Sequence, residues 1–227
     1  MKTPFKKLAL IILAVCALCG AGIKATAQVT VGPDPGASWI GYMNVFELPS
    51  NGGAYVFGSS WGTADLCATF SGSVLTITPN TIGDPNPFWY TPSGGPGATG
   101  NKNMDANMYV EDSATLPGQT VTFTGYVIAN SLVSPYTSVA FIKDFAADYS
   151  SSTSVTVPLV GGNTFSITLP TTAGTHVQYG FETIGPDVWI TDVGTKGVAQ
   201  VTAVPEPACL AILGMGVLGT IAWRRRQ

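Results

Sequence analysis

The sequence predicts an all-β protein. Residues 28–203 read as a single two-sheet antiparallel β-sandwich of jelly-roll type, between an N-terminal signal-peptide helix and a C-terminal hydrophobic helix. Three observations predict it. Apolar and polar residues alternate in four separate runs, turn signals divide those runs, and no helical period is sustained away from the two ends.

The runs come first. Leu75 and Ile77 alternate with threonines, and Val121 and Phe123 alternate with Thr122 and Thr124. Phe165, Ile167 and Leu169 alternate with Thr164, Ser166 and Thr168, and Val177, Tyr179 and Phe181 with Gln178, Gly180 and Glu182. A period of two buries one face of a strand and wets the other, as a sandwich requires. Turn signals fall at Pro49–Gly53, Gly83–Pro87, Pro117–Gly118 and Gly161–Gly162. Their spacing gives about ten strands, enough for a jelly roll. Residues 141–149 finish a strand rather than start a helix. About 175 residues remain between the two ends, the size of one domain with a substantial core.

Charge narrows the partners. Lys2, Lys6, Lys7 and Lys24 lie before residue 28, and Arg224, Arg225 and Arg226 close the chain. Between Gln28 and Ala203 only Lys102, Lys143 and Lys196 face twelve carboxylates, a net −9 without arginine. Such a surface repels phosphate, so nucleic acid is not an expected partner. It suits neutral sugar or calcium, or simply solubility. Cys67 is the sole cysteine of the central segment, since Cys16, Cys19 and Cys209 lie in the ends. No disulfide can form within the domain, and Cys67 is expected to be a small buried hydrophobe.

The ends carry addresses. Three early lysines, an apolar run from Leu8 to Ala21, and Ala25-Thr26-Ala27 form a signal peptide over residues 1–27, with Ala25 and Ala27 at the cleavage site for signal peptidase. At the other end, Pro205-Glu206-Pro207 precedes sixteen uncharged residues, Ala208 to Trp223, and then Arg224-Arg225-Arg226. Sixteen helical residues reach about 24 Å, short of the roughly 30 Å hydrocarbon layer, which snorkelling arginines and thinning can bridge. The arginines stay cytoplasmic, so the domain lies beyond the inner membrane. This order of elements closely resembles the PEP-CTERM sorting signal, over residues 204–227. The resemblance implies an exosortase-like processing enzyme as partner, a transient inner-membrane anchor, and delivery to the surface or extracellular matrix of a Gram-negative bacterium.

Two central segments resemble non-catalytic carbohydrate-binding modules of the jelly-roll kind. Leu116-Pro117-Gly118-Gln119-Thr120-Val121-Thr122-Phe123 is similar to their Pro-Gly turn and central strand, and Asn44-Val45-Phe46-Glu47 to an Asn-x-x-Phe-Glu near their start, one residue short. The resemblance implies a structural calcium held by Glu47 and Asp192; Asp65, Asp84 and Asp105 are further oxygen ligands for such an ion, and no other cofactor is expected.

Chemistry otherwise concentrates in the loop from Asn80 to Asn103, with Phe88-Trp89-Tyr90 at its middle. Loops this long in a compact domain are usually functional. Trp89 with Tyr90, and Trp61 in Ser59-Ser60-Trp61-Gly62, can form a platform for stacking a pyranose ring, or else turn inward and pin the loop. Catalytic residues are not expected. Glu111 and Asp112, as strand neighbours, should diverge; Asp144 and Asp148 are the other close carboxylates. His176 opens a strand, with Gln178 expected on the opposite face, and no Gly-x-Ser-x-Gly elbow accompanies it. The first expectation is an exported, exosortase-sorted protein whose sandwich binds carbohydrate or exopolysaccharide. A structural or adhesive matrix protein without a sugar site is the alternative, and a glycan hydrolase or lyase the third.

Overall fold

The alternating runs become strands whose apolar halves meet in the middle of the molecule. A computed structural model describes residues 28–205. The leader with Ala25 and Ala27, and the tail residues Glu206, Pro207, Arg224, Arg225 and Arg226, lie outside the described residues, and so do both expected helices. Among the described residues no helix is long and apolar enough to cross a membrane.

The strands are β1 (Gln28–Val31), β2 (Ile40–Glu47), β3 (Tyr55–Trp61), β4 (Ala68–Ser71), β5 (Val74–Ile77), β6 (Tyr90–Thr91), β7 (Thr99–Gly100), β8 (Lys102–Asp112), β9 (Thr120–Asn130), β10 (Thr137–Phe145), β11 (Ser152–Pro158), β12 (Thr164–Pro170), β13 (His176–Pro186) and β14 (Ala199–Thr202). There are more of them than the turn spacing suggested. The long loop holds its own two-residue pair, β6 with β7, which no alternation could signal. Sheet I runs β1-β9-β14-β5-β4, with β12 against the other side of β9. Sheet II runs β11-β10-β13-β8-β2-β3. One pairing departs from the antiparallel expectation, because β1 lies parallel to β9.

In β12, Phe165, Ile167 and Leu169 are buried while the threonines, Ser166 and Pro170 between them face solvent. The same rule puts Val121, Phe123 and Val127 of β9 and Val177, Tyr179 and Phe181 of β13 inside. Phe123 joins the layers: its ring centroid lies 5.1 Å from Phe165, 5.3 Å from Tyr179 and 5.3 Å from Phe181. Trp39 closes one end of this cluster by stacking on Phe181 at 6.1 Å. Such aromatic contacts add to the area they bury.

Three places bear on sequence expectations. Cys67 is half-buried rather than buried, because a turn at φ 60° carries it to the wall of a surface hollow, its Sγ 3.5 Å from Thr81 Oγ1. His176 and Gln178 share one face of β13, both reaching Glu111, as a period of two requires. Tyr90 turns fully inward and donates its hydroxyl hydrogen to Ile82 O at 2.7 Å.

Beside Tyr90 the fold buries an acid. Asp187 is 1% exposed; its Oδ1 accepts from the Lys102 N–H at 3.1 Å, while Oδ2 has no protein partner. Burial pushes this carboxyl up to about 6 from 3.8. The fold therefore prefers the protonated acid. Its contribution is full below pH 3.8 and is lost as pH rises through about 6. Replacing the acid by its neutral isostere should remove that loss.

Two outcomes follow. Urea unfolding of Asp187→Asn should show a gain on the order of 3 kcal/mol at neutral pH that shrinks to nothing near pH 4. Phe123→Ala, which empties the centre of the inter-sheet cluster, should cost about 3–5 kcal/mol in the same assay.

Candidate functional site

The strands that bury one face of sheet II must expose the other. In β8 the inward set is Met104, Ala106 and Met108, which leaves Asn103, Asp105, Asn107, Tyr109 and Glu111 on the outer face. Pairing sets these beside the outward residues of three neighbours. Tyr42 of β2, Asn107 and Glu182 of β13 form one row, and Asn44, Asp105 and Ile184 another. Glu111, Gln178 and Lys143 of β10 form a third. Between Tyr109 and Phe141 the row carries Gly180, which has no side chain. A Cβ there would collide with the Met108 carbonyl and lie 2.8 Å from Tyr109 Cβ, so only glycine fits.

This arrangement leaves a hollow of about 560 Å³ lined by Tyr42, Asn107, Tyr109, Glu111, Lys143, Tyr149 and neighbouring side chains. Two hydrogen-bonded networks hold its walls. In the first, Asn44 Nδ2 donates to Asp105 Oδ2 at 3.2 Å and Asn107 Nδ2 to Asp105 Oδ1 at 2.6 Å. Lys143 Nζ then donates to Asn107 Oδ1 at 2.8 Å and to Glu182 Oε2 at 2.9 Å, lying 4.2 Å above the Phe141 ring. In the second, Gln178 Nε2 and the Tyr149 hydroxyl donate to the two oxygens of Glu111 at 2.7 and 2.9 Å. Tyr149 itself, at φ 58°, stacks on the His176 ring at 4.4 Å.

Electrostatics follow from burial. Burial, and then the charge of Glu182, pushes the Asp105 carboxyl up despite Lys143 and two amide donors. Burial and Glu111 raise the Tyr109 hydroxyl, and burial with the Glu111 hydrogen bond takes Tyr149 up to about 12. These phenols remain protonated donors at neutral pH. The hydroxyls of Tyr42 and Tyr109 have no protein partner among the described residues, so they are free for a ligand. Rings, phenols, amides and carboxylates around one shallow hollow can stack an apolar ring face and take up hydroxyls.

The residues singled out by sequence lie elsewhere. Trp61 is partly buried against the core, its Nε1 donating to Ser59 Oγ at 2.9 Å. Trp89 packs edge-on to Phe57 at 6.2 Å and Phe88 at 4.7 Å, with Phe88 the exposed member of the loop trio. With Tyr90 fully buried, the three do not form an exposed stacking platform; they anchor the loop. Glu47 pairs with Lys102 at 3.1 Å, whereas Asp192 accepts from the Gly97 N–H at 2.6 Å. The two carboxylates line different hollows. Among the described residues no group of three or more His, Cys, Asp or Glu side chains is placed to hold a metal.

Glu111 and Asp112 diverge as strand neighbours should. Glu111 faces the hollow; Asp112 turns to the following loop. Partial burial pushes the Asp112 carboxyl up, but hydrogen bonds from Thr115, Leu116 and Ala114 outweigh it and hold it at about 2. Asp144 accepts from Thr172 N and Asp148 from Ser150, so those two do not form a pair. Ser113 Oγ lies 2.7 Å from His176 Nδ1, but the backbone N–H groups of Ala114, Thr115 and Leu116 all donate to Asp112 Oδ1 and are not free to stabilise an oxyanion.

Sequence reading missed the outer face of sheet II. A signal was present, since Asn103, Asp105, Asn107, Tyr109 and Glu111 alternate with apolar residues along eleven residues of β8. What it lacked was the pairing that brings β2, β10 and β13 alongside.

No curated protein matches the sequence. A solved structure of TmCBM61 in complex with β-1,4-galactotriose is 12% identical, with a TM-score of 0.28, over 57% of this chain and 78% of that one, a likeness too low to bear on ligand. Residues 203–226 match the PEP-CTERM protein-sorting motif, which implies export and exosortase-type sorting to the cell envelope of a Gram-negative bacterium.

Proposed function

We propose that this is an exported envelope protein whose non-catalytic sandwich binds uncharged carbohydrate on the outer face of sheet II. The observation that carries the reading is the hollow itself. Tyr42, Tyr109, Phe145 and Tyr149 supply ring faces, and Asn44, Asn107, Gln178 and Lys143 supply amide and ammonium groups at fixed positions. The networks hold these groups before a ligand arrives, which lowers the entropy lost on binding. Glu111 and Asp105, without a lysine partner, disfavour anionic polymers.

On this reading the leader is removed by signal peptidase, the tail holds the protein briefly in the inner membrane, and an exosortase-like enzyme passes it to the surface or matrix. Extracellular polysaccharide is the partner met there. Binding is preferred over hydrolysis because the carboxylates of this face are already engaged: Asp105 accepts from Asn44 and Asn107, Glu111 from Gln178 and Tyr149, and Glu182 from Lys143.

A glycan array and affinity gels with the full chain in detergent micelles test the binding. Wild type should be retarded by at least one neutral polysaccharide, and Tyr109→Ala or Gln178→Ala should each weaken binding about tenfold or more. Trp89→Ala should lower stability and leave affinity nearly unchanged. Absence of any glycan signal from folded wild type, with self-association instead, would replace this reading by the matrix one. For sorting, glutamine at Arg224, Arg225 and Arg226 together should leave tail-bearing protein unprocessed in the envelope; normal processing would count against it.

A further inference from the structure

A second hollow, of about 460 Å³, lies on the same face and is lined by Phe46, Glu47, Pro49, Asn103, Asp105 and Ile184 among others. It continues the first along β8. Asp105 lines this hollow, and its two amide partners, Asn44 and Asn107, line the other. From Asn103 to Glu111 the outer face runs eight residue steps, about 27 Å at strand rise.

The far hollow has its own recognition groups. Phe46 presents a ring, held edge-on by Tyr55 at 5.5 Å. Asn103 is partly exposed, and its amide has no protein partner among the described residues, so all its hydrogen-bonding capacity is open. The glycine turn after Pro49 forms one wall: Gly52 and Gly53 take φ of 91° and 64°, and nothing lies within 4 Å of where a Cβ would stand. The positive φ favours glycine at both positions, so no side chain projects from this wall.

We propose that this second hollow is a far subsite, and that the two together take an extended stretch of a linear, uncharged polysaccharide rather than a single terminal sugar. The inference rests on the carbohydrate reading of the first hollow. Repeated ring faces along one trough, Tyr109 and Phe145 at one end, Tyr42 between and Phe46 at the other, match a polymer that presents the same apolar face repeatedly. Charge agrees with an uncharged chain. Lys143, the lysine of this face, is already paired with Glu182, and among the described residues neither Asp105 nor Glu111 has a lysine within salt-bridge distance.

Titration calorimetry on the full chain in detergent micelles separates the outcomes. The probes are three-unit and six-unit cello-, manno- and galacto-oligosaccharides, with polygalacturonate as the charged control. The expected result is a six-unit ligand binding about tenfold or more tighter than its three-unit relative. Phe46→Ala and Asn103→Ala should each erase that gain while leaving the three-unit affinity intact, and Tyr109→Ala should weaken both lengths. Equal affinity for both lengths, or an unchanged length gain in both far-hollow variants, would overturn the far subsite and leave the first hollow standing. Tight binding of polygalacturonate would overturn the uncharged class. If folded wild type binds no oligosaccharide, the carbohydrate reading falls and this inference with it. Circular dichroism confirms that each variant is folded.

Discussion

The contact of Phe123 with Tyr179, Phe181 and Phe165 fixes the rest of the structure. It is the place where the two sheets touch through rings at 5.3 Å, Phe123 against Tyr179 and Phe181, and it locks the inward set of β9 to the inward set of β13. Because side chains alternate strictly, burying Val177, Tyr179 and Phe181 forces Gln178, Gly180 and Glu182 outward. A slip by one residue would drive Glu182 into the core and put Phe181 in water. The outer face with its hollows is thus a consequence of core packing on the far side of the same backbone.

That dependence explains why the outer face is so densely hydrogen-bonded. Asn107 and Gln178 are only 5% and 7% exposed although they sit on a solvent-facing surface, since their neighbours on adjacent strands crowd them. Polar groups so enclosed cost free energy unless paired. Lys143 satisfies Asn107 and Glu182, and Gln178 satisfies Glu111, so the cost is offset and the groups are held still. The phenols of Tyr42 and Tyr109 stay outside those networks. Held amides around free hydroxyls leave few groups to reorder, which is what the proposed carbohydrate binding would use.

The layer architecture was legible in the sequence because alternation is local: Thr164 to Leu169 alone declare a strand with one wet face. The site was not, because its rows join residues far apart in the chain. Nothing near Asn107 reveals that Tyr42 and Glu182 flank it, since that pairing is set by the packing of five other strands. The loop aromatics misled for a related reason. Phe88, Trp89 and Tyr90 stand together in sequence, yet the β6–β7 pair turns Tyr90 under Val188 and leaves Phe88 outside. Composition marks such rings as important without saying which way they point. The sorting motif is the opposite case, fully written in a contiguous stretch and recognised there.

The strand before the sorting motif and the face with the hollows also lie on different layers of the sandwich. The described chain leaves the fold from β14, which pairs with β5 and β9 in sheet I, and the matched motif begins one residue after Thr202. The hollows lie on the outer face of sheet II, the layer on the other side of the core. On the proposed reading, attachment through the tail would load one sheet and leave the opposite sheet's outer face free of the connection. Had the last strand belonged to sheet II, the chain would pass to the sorting motif from the same layer that carries the hollows. The topology that carries β14 across to sheet I would make the proposed tethering and the proposed binding compatible in one small domain.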